Sequence, residues 1–242
     1  MNMDEIQNKI NLIYNKLMDT YSPQGWWPLI NHDGVNPTKT GSITGYHPGN
    51  YEFPRNSKEQ FEIIMGAILT QNTSWVGVEK ALLNLKNLIG FEAEQLLKIA
   101  NSNEDKFKEA IKPAGYYNQK TEYLKNISEF YINLNGQTPL REDLLKVKGI
   151  GNETADSILL FAYKEKEFIV DAYTKRIFSY LGLINEKDSY LKIKSLIEDN
   201  FTGDVIDYEE YHALLVEHAK RYYSKKPYGI NDKLLIDFKV GD

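Results

Sequence analysis

An all-α fold is what this 242-residue sequence predicts, on three observations. Apolar side chains recur at three- and four-residue intervals along most of the chain, the spacing that aligns one face of a helix. No stretch of strand length alternates apolar and polar residues. Breaks between periodic stretches carry turn residues, as at Asn135-Gly136 ahead of Pro139.

Ile6, Ile10, Ile13, Tyr14 and Leu17 form the first apolar stripe; Phe61, Ile64, Met65, Ile68 and Leu69 form a cleaner one. Further helices are expected near 76–89, 93–100, 104–111, 118–134, 141–147, 153–164, 172–182, 189–201 and 207–223. Residues 31–57 break the pattern, with Gly34, Pro37, Gly41, Gly45, Pro48, Gly49 and Pro54 and few aliphatics. They are expected to be an irregular loop, read as an insertion tolerated at the surface. The most distinctive stretch lies at Leu144-Leu145-Lys146-Val147-Lys148-Gly149-Ile150-Gly151-Asn152-Glu153-Thr154-Ala155-Asp156. One helix ends there, the chain turns through Gly-Ile-Gly, and a second helix restarts at once. Glycines at 149 and 151 permit positive φ and let another backbone approach closely. The first N–H groups of the restarted helix, around Asn152 and Thr154, are then available to hold a phosphate.

Composition narrows the function classes. No run approaches the ~18 apolar residues of a membrane span. Met1-Asn2-Met3-Asp4-Glu5 lacks the basic-then-apolar layout of a secretory signal, so a cytoplasmic, nucleoid-associated protein is expected. With no cysteine, the chain has no disulfide, thiolate zinc site or cysteine-held iron–sulfur cluster. None of the four histidines pairs at metal-ligand spacing, so no transition-metal site is expected. The net charge of −5 weighs against nucleic-acid binding, and residues 141–176 balance seven basic against seven acidic side chains. A turn that grips phosphate through backbone N–H groups needs little side-chain charge, so modest, salt-sensitive DNA affinity is expected.

Several residues have chemistry to offer. Asp171 follows Ile169-Val170 eighteen residues after Glu153 and opens a helix. Its position alone supports two readings, a helix N-cap or a carboxylate that stabilises positive charge developing on a sugar. Trp26-Trp27-Pro28 and Trp75 are large aromatics that suit either a core or a base pocket. Gln71, at the end of the Phe61–Leu69 helix, is either a cap or a side chain that fills a gap in DNA. Lys225 and Lys226 are either solvated lysines or the border of a site.

The hairpin with Asp171 resembles the helix-hairpin-helix and catalytic aspartate of the endonuclease III (HhH-GPD) superfamily of DNA base-excision glycosylases. The resemblance implies a central helical barrel over 58–165, a second helical domain from 1–57 plus 166–242, and a DNA cleft between them. Trp26-Trp27-Pro28, Leu69-Thr70-Gln71-Asn72-Thr73 and Gly115-Tyr116-Tyr117-Asn118-Gln119-Lys120 further resemble the 3-methyladenine DNA glycosylase III branch. Members that cut the strand carry a nucleophilic lysine where this chain has Glu153, which cannot form an imine. What the resemblance implies is therefore a monomeric, monofunctional glycosylase for damaged double-stranded DNA. It would flip out 3-methyladenine, and with it 7-methylguanine, and hydrolyse the glycosidic bond with Asp171. Trp26, Trp27, Pro28, Trp75, Glu153 and Lys225 would form the base pocket. Gln71, Gly149, Ile150, Gly151, Asn152 and Thr154 would meet DNA. No cofactor is implied beyond a monovalent cation at the hairpin carbonyls, as in relatives. A mismatch uracil or thymine glycosylase and a non-catalytic DNA-binding hairpin are the competing readings.

Overall fold

Helix starts in this chain are written into short polar side chains. Asn56 accepts from the Lys58 and Glu59 N–H groups at 3.0 Å each and opens α2, Ser57–Leu69. Asp204 and Asp207 form a reciprocal capping box at the start of α11, Val205–Tyr222. In a computed structural model, which describes residues 3–38 and 44–240, these two helices are the most deeply buried. Every residue of α2 from Phe61 to Leu69 and of α11 from Tyr208 to Ala219 is buried. Helix α2 is apolar on almost every side, as suits an interior, whereas α11 buries Glu209, Glu210, His212, Glu217 and His218 along with its apolar residues.

The remaining helices pack around them. Helix α1, Met3–Tyr21, turns its Ile10, Ile13 and Leu17 stripe inward and packs on α10, Tyr190–Asn200, and on α11. Tyr14 donates to Asp207 at 2.7 Å and Tyr211 to the Ile10 carbonyl at 2.9 Å, tying the two ends of the chain together. Helices α3 (Trp75–Ile89), α4 (Ala93–Ser102), α5 (Glu104–Ile111) and α6 (Tyr117–Leu134) pack on one another, and α3 and α6 also meet α2. Lys120 of α6 is buried and donates to the Leu69 and Ala114 carbonyls at 2.7 and 2.8 Å. It thereby closes the C-terminus of α2, and burial lowers its pKa to about 8.

The hairpin is built from two short helices, α7 (Arg141–Leu144) and α8 (Asn152–Ser157), the latter continuing as a buried π-helical turn, Ile158–Ala162. Arg141 ties both arms, donating to both Asp156 carboxylate oxygens at 2.6 and 3.1 Å and to Asn152 at 2.8 Å. Tyr190 and Lys194 of α10 reach the same Asp156 from the other side. Gly149 has φ +102°, and a Cβ there would lie 2.2 Å from the Tyr123 ring. Gly151 departs from the expectation. Its φ is −96°, in the extended region, so no left-handed backbone requires glycine there, and the space beside it is open.

Residues 31–57 are irregular, as expected, but their described part is no tolerated surface insertion. One isolated bridge joins Val35 and Thr44, and residues 39–43 lie outside the described residues. Asn36, Tyr46, His47 and Phe53 are buried. His47 bonds through its two ring nitrogens to the Asn50 and Trp27 carbonyls at 2.8 and 2.9 Å. The segment folds back over the Trp26-Trp27 element so closely that a Cβ on Gly25 would fall 2.1 Å from the Pro48 nitrogen. Burial here uses aromatic and polar rings in no regular spacing, which periodicity cannot detect.

Beyond α11 the chain is held by a buried polar clasp. Asp232 bonds His218 Nε2 at 2.8 Å and accepts from Tyr223 at 2.7 Å and from the Leu234 and Leu235 N–H groups. The Tyr21 hydroxyl meets His218 Nδ1 at 3.0 Å, so α1 joins the clasp.

Candidate active site

A cavity of about 380 Å³ opens where α3, α8, α9 (Ala172–Tyr180) and α11 meet the Trp26-Trp27-Pro28 turn. Glu210 of α11 fixes that turn, its carboxylate accepting from the Gln24 and Gly25 N–H groups at 2.6 and 3.0 Å and from the Tyr51 hydroxyl at 3.1 Å. Trp26, Trp27, Pro28, Tyr46 and Trp75 supply an aromatic and apolar lining; Glu153, Asp171, His212 and Lys220 supply the titratable groups. A larger, shallow groove of about 720 Å³ beside α3 and α5 is lined by Lys106, Glu109 and Lys112 but by no aromatic side chain.

The three tryptophans have unequal roles. Trp27 is buried, with its ring centroid 5.4 Å from Trp75 and 5.2 Å from Phe161. Its back rests on α2, where a Cβ on Gly66 would come 3.0 Å from the indole Nε1. Trp27 is thus the fixed rear wall, while Trp26 and Trp75 are half-buried and face the opening.

Asp171 has both roles the sequence left open. It is the N-cap of α9, its Oδ1 accepting from the Thr174 N–H and hydroxyl at 2.7 and 2.8 Å, and it also lines the cavity. Glu153, in the first turn of α8, lines the same space. Its surface is open to solvent, yet protein crowds its carboxyl on most sides. Desolvation and then the nearby Asp171 charge raise its pKa to about 7. Burial lowers the His212 pKa against the pull of Asp171, and burial lowers that of Lys220 against the pull of Glu217. The cavity therefore favours the uncharged forms of three of its groups.

The predicted hairpin residues surround a second, open hollow of about 490 Å³, which shares Glu153 with the cavity. Gly149, Ile150, Gly151 and Thr154 line it with Gln71, whose side-chain amide donates to the Gly149 carbonyl at 2.9 Å and the Thr154 hydroxyl at 3.0 Å. Asn152 is engaged by Arg141 instead. Lys225 is not among the cavity-lining residues; it is exposed in the turn after α11, and Lys226 lines a different groove with Arg176 and Tyr228. The cavity lysine is Lys220. His212, Val216 and Lys220 fall four residues apart on one face of α11, a spacing legible in the sequence once that face is known to meet the tryptophans. Tyr46 offered no such signal.

A family profile of the HhH-GPD superfamily base excision DNA repair proteins matches residues 65–202. The chain belongs to that superfamily. It is a DNA repair glycosylase with the HhH-GPD fold. A Methanocaldococcus jannaschii protein named for DNA repair glycosylase activity is 43% identical, over 91% of this chain and 92% of that protein. Endonuclease III of Sulfolobus acidocaldarius is 31% identical over 74% of this chain and 81% of its own. Among solved structures, the H. pylori 3-methyladenine DNA glycosylase bound to 1,N6-ethenoadenine superposes with a TM-score of 0.61 at 27% identity, covering 89% of this chain and 97% of that one. An endonuclease III–DNA complex, at 14% identity, shares the fold with a TM-score of 0.73, covering 96% of this chain and 94% of its own.

Proposed function

We propose that this HhH-GPD protein is a monofunctional glycosylase that excises N3-alkylated adenine, and with it other alkylated purines, from double-stranded DNA and leaves an abasic site. The observation that carries the reading is one enclosed cavity holding both the tryptophan walls and the Asp171 carboxylate. A base can enter it only after flipping from the duplex, at a cost of a few kcal/mol. Alkylation leaves the purine with a formal positive charge, and a desolvated indole face favours such a cation by about 2 kcal/mol. The charge also makes the base a good leaving group, so the site needs no strong acid.

As the bond between C1′ and the purine nitrogen breaks, its electron pair goes to the base and positive charge spreads over the sugar ring. Asp171 stabilises that charge. Water then adds to C1′, and its proton passes to the carboxylate pair of Asp171 and Glu153. Near neutral pH, Glu153 exchanges a proton readily. The reaction uses only water. Likeness to the H. pylori 3-methyladenine glycosylase supports the substrate class. Glu153, at the position where strand-cutting relatives carry lysine, supports the monofunctional outcome.

Chromatography of bases released from methylated DNA tests the reading, alongside a uracil-containing duplex. Release of 3-methyladenine without release of uracil is expected; the converse result overturns the assignment. Borohydride should trap no covalent adduct on either DNA, and a robust adduct would identify a lysine nucleophile.

A further inference from the structure

The three buried imidazoles of this protein, His47, His212 and His218, are unequally partnered. His47 engages two backbone carbonyls, and His218 engages Asp232 and Tyr21. His212 is only 6% exposed, yet its Nδ1 has no hydrogen-bond partner. Its ring forms part of the wall of the tryptophan cavity, edge-on to Trp26 at 5.8 Å and 6.1 Å from Phe161. Leaving a buried polar atom unpaired is unfavourable, and folded proteins do so rarely. An aromatic hydrocarbon ring would serve the wall without that penalty. Among the described residues four buried side-chain atoms are unpaired, and two of them, His212 Nδ1 and Trp27 Nε1, belong to residues that line this cavity.

We propose that His212 is a specificity-determining residue of this pocket, forming a hydrogen bond with the polar edge of the flipped purine. The inference rests on the proposed base-excision reading. The aromatic walls hold a base by its faces and are indifferent to which purine it is; a group set in the wall can meet its rim. Adenine and guanine differ there, since one carries an amino group at C6 and the other a carbonyl oxygen. A neutral imidazole offers one donor and one acceptor and can pair with such an edge, whereas an imidazolium offers only donors. Burial favours the neutral ring. On the same face of α11, Val216 is apolar and Lys220 lies about two turns from His212.

The test compares wild type with His212→Phe and His212→Gln on methylated DNA under single-turnover conditions, quantifying 3-methyladenine and 7-methylguanine separately. Phe keeps an aromatic wall without nitrogens; Gln restores a donor and an acceptor. The expected result is a change of roughly ten-fold or more in the ratio of the two excision rates for the Phe variant, partly reversed by Gln. Thermal unfolding midpoints check that both variants fold, and the Phe variant should melt no lower than wild type. Excision by both variants at the wild-type ratio overturns the role of His212 and leaves the alkylpurine reading standing. Failure of wild type to release either base overturns that reading, and the His212 assignment with it.

Discussion

Replacing Asp171 by Asn separates the two roles of this residue. The carboxylate caps α9 through one oxygen, which accepts from the Thr174 N–H and hydroxyl at 2.7 and 2.8 Å. An asparagine side-chain oxygen can accept both bonds, and Asn and Asp are near-equal N-caps. Stability should therefore change by less than about 0.5 kcal/mol, whereas Asp171→Ala should lose about 1 kcal/mol. Catalysis should behave in the opposite way, with Asn and Ala both severely impaired. In the proposed reaction the negative charge facing the cleaving sugar disappears in each, and a preorganised electrostatic contact of this kind is worth about 10²–10³ in rate. Removing the charge also relieves Glu153, whose pKa should fall from about 7. The assays are single-turnover base release across pH and thermal unfolding of the three proteins. An Asp171→Asn enzyme within about three-fold of wild type in single-turnover rate would refute the electrostatic argument. An Asn variant as unstable as Ala would refute the capping argument.

Three other predictions concern the frame around the site. Gly149→Ala should disrupt the hairpin and destabilise the protein by several kcal/mol, because its φ of +102° and the Tyr123 ring 2.2 Å from a new Cβ oppose it together. Gly151→Ala should fold normally, since the space is open and φ is −96°, and should weaken DNA binding in a gel-shift titration by keeping the phosphate away from the backbone. Glu62, 1% exposed on α2, has its carboxyl raised by burial from 4.5 to about 7 despite the bond from the Ile30 N–H. The folded state thus holds that proton more tightly than the unfolded chain; the stabilisation, up to roughly 3 kcal/mol, is complete below pH 4.5 and lost as pH rises through about 7. Denaturant midpoints at pH 5 and 8 should converge in Glu62→Gln relative to wild type, and an unchanged pH dependence would exclude Glu62 as the source.

Much of this architecture was legible in the sequence because it is periodic. The stripe at Phe61, Ile64, Met65, Ile68 and Leu69 marked α2, and the Gly-Ile-Gly turn marked the hairpin, since both obey local rules of spacing and backbone freedom. Trp26, Trp27, Trp75, Glu153 and Asp171, drawn from four separate places in the sequence, do meet at one cavity. Tyr46 and His212 were invisible for a common reason. Each is brought to the cavity by tertiary folding, one from an irregular segment and the other from a helix buried on all sides, where no apolar face singles out the residue that matters. Lys225 misled because nearness in sequence to the end of α11 says nothing about the direction of a side chain, and the cavity-lining lysine is Lys220, in the helix's last turn.

The clasp of His218, Tyr223 and Asp232 has a chemical consequence. Thiolates are among the most reactive targets a protein offers to reagents that seek electron pairs. Here the tail is secured by an imidazole, a phenol and a carboxylate, in a polypeptide without any sulfhydryl. For the proposed role on alkylated DNA, such a fastening offers the electrophiles that damage DNA little to attack.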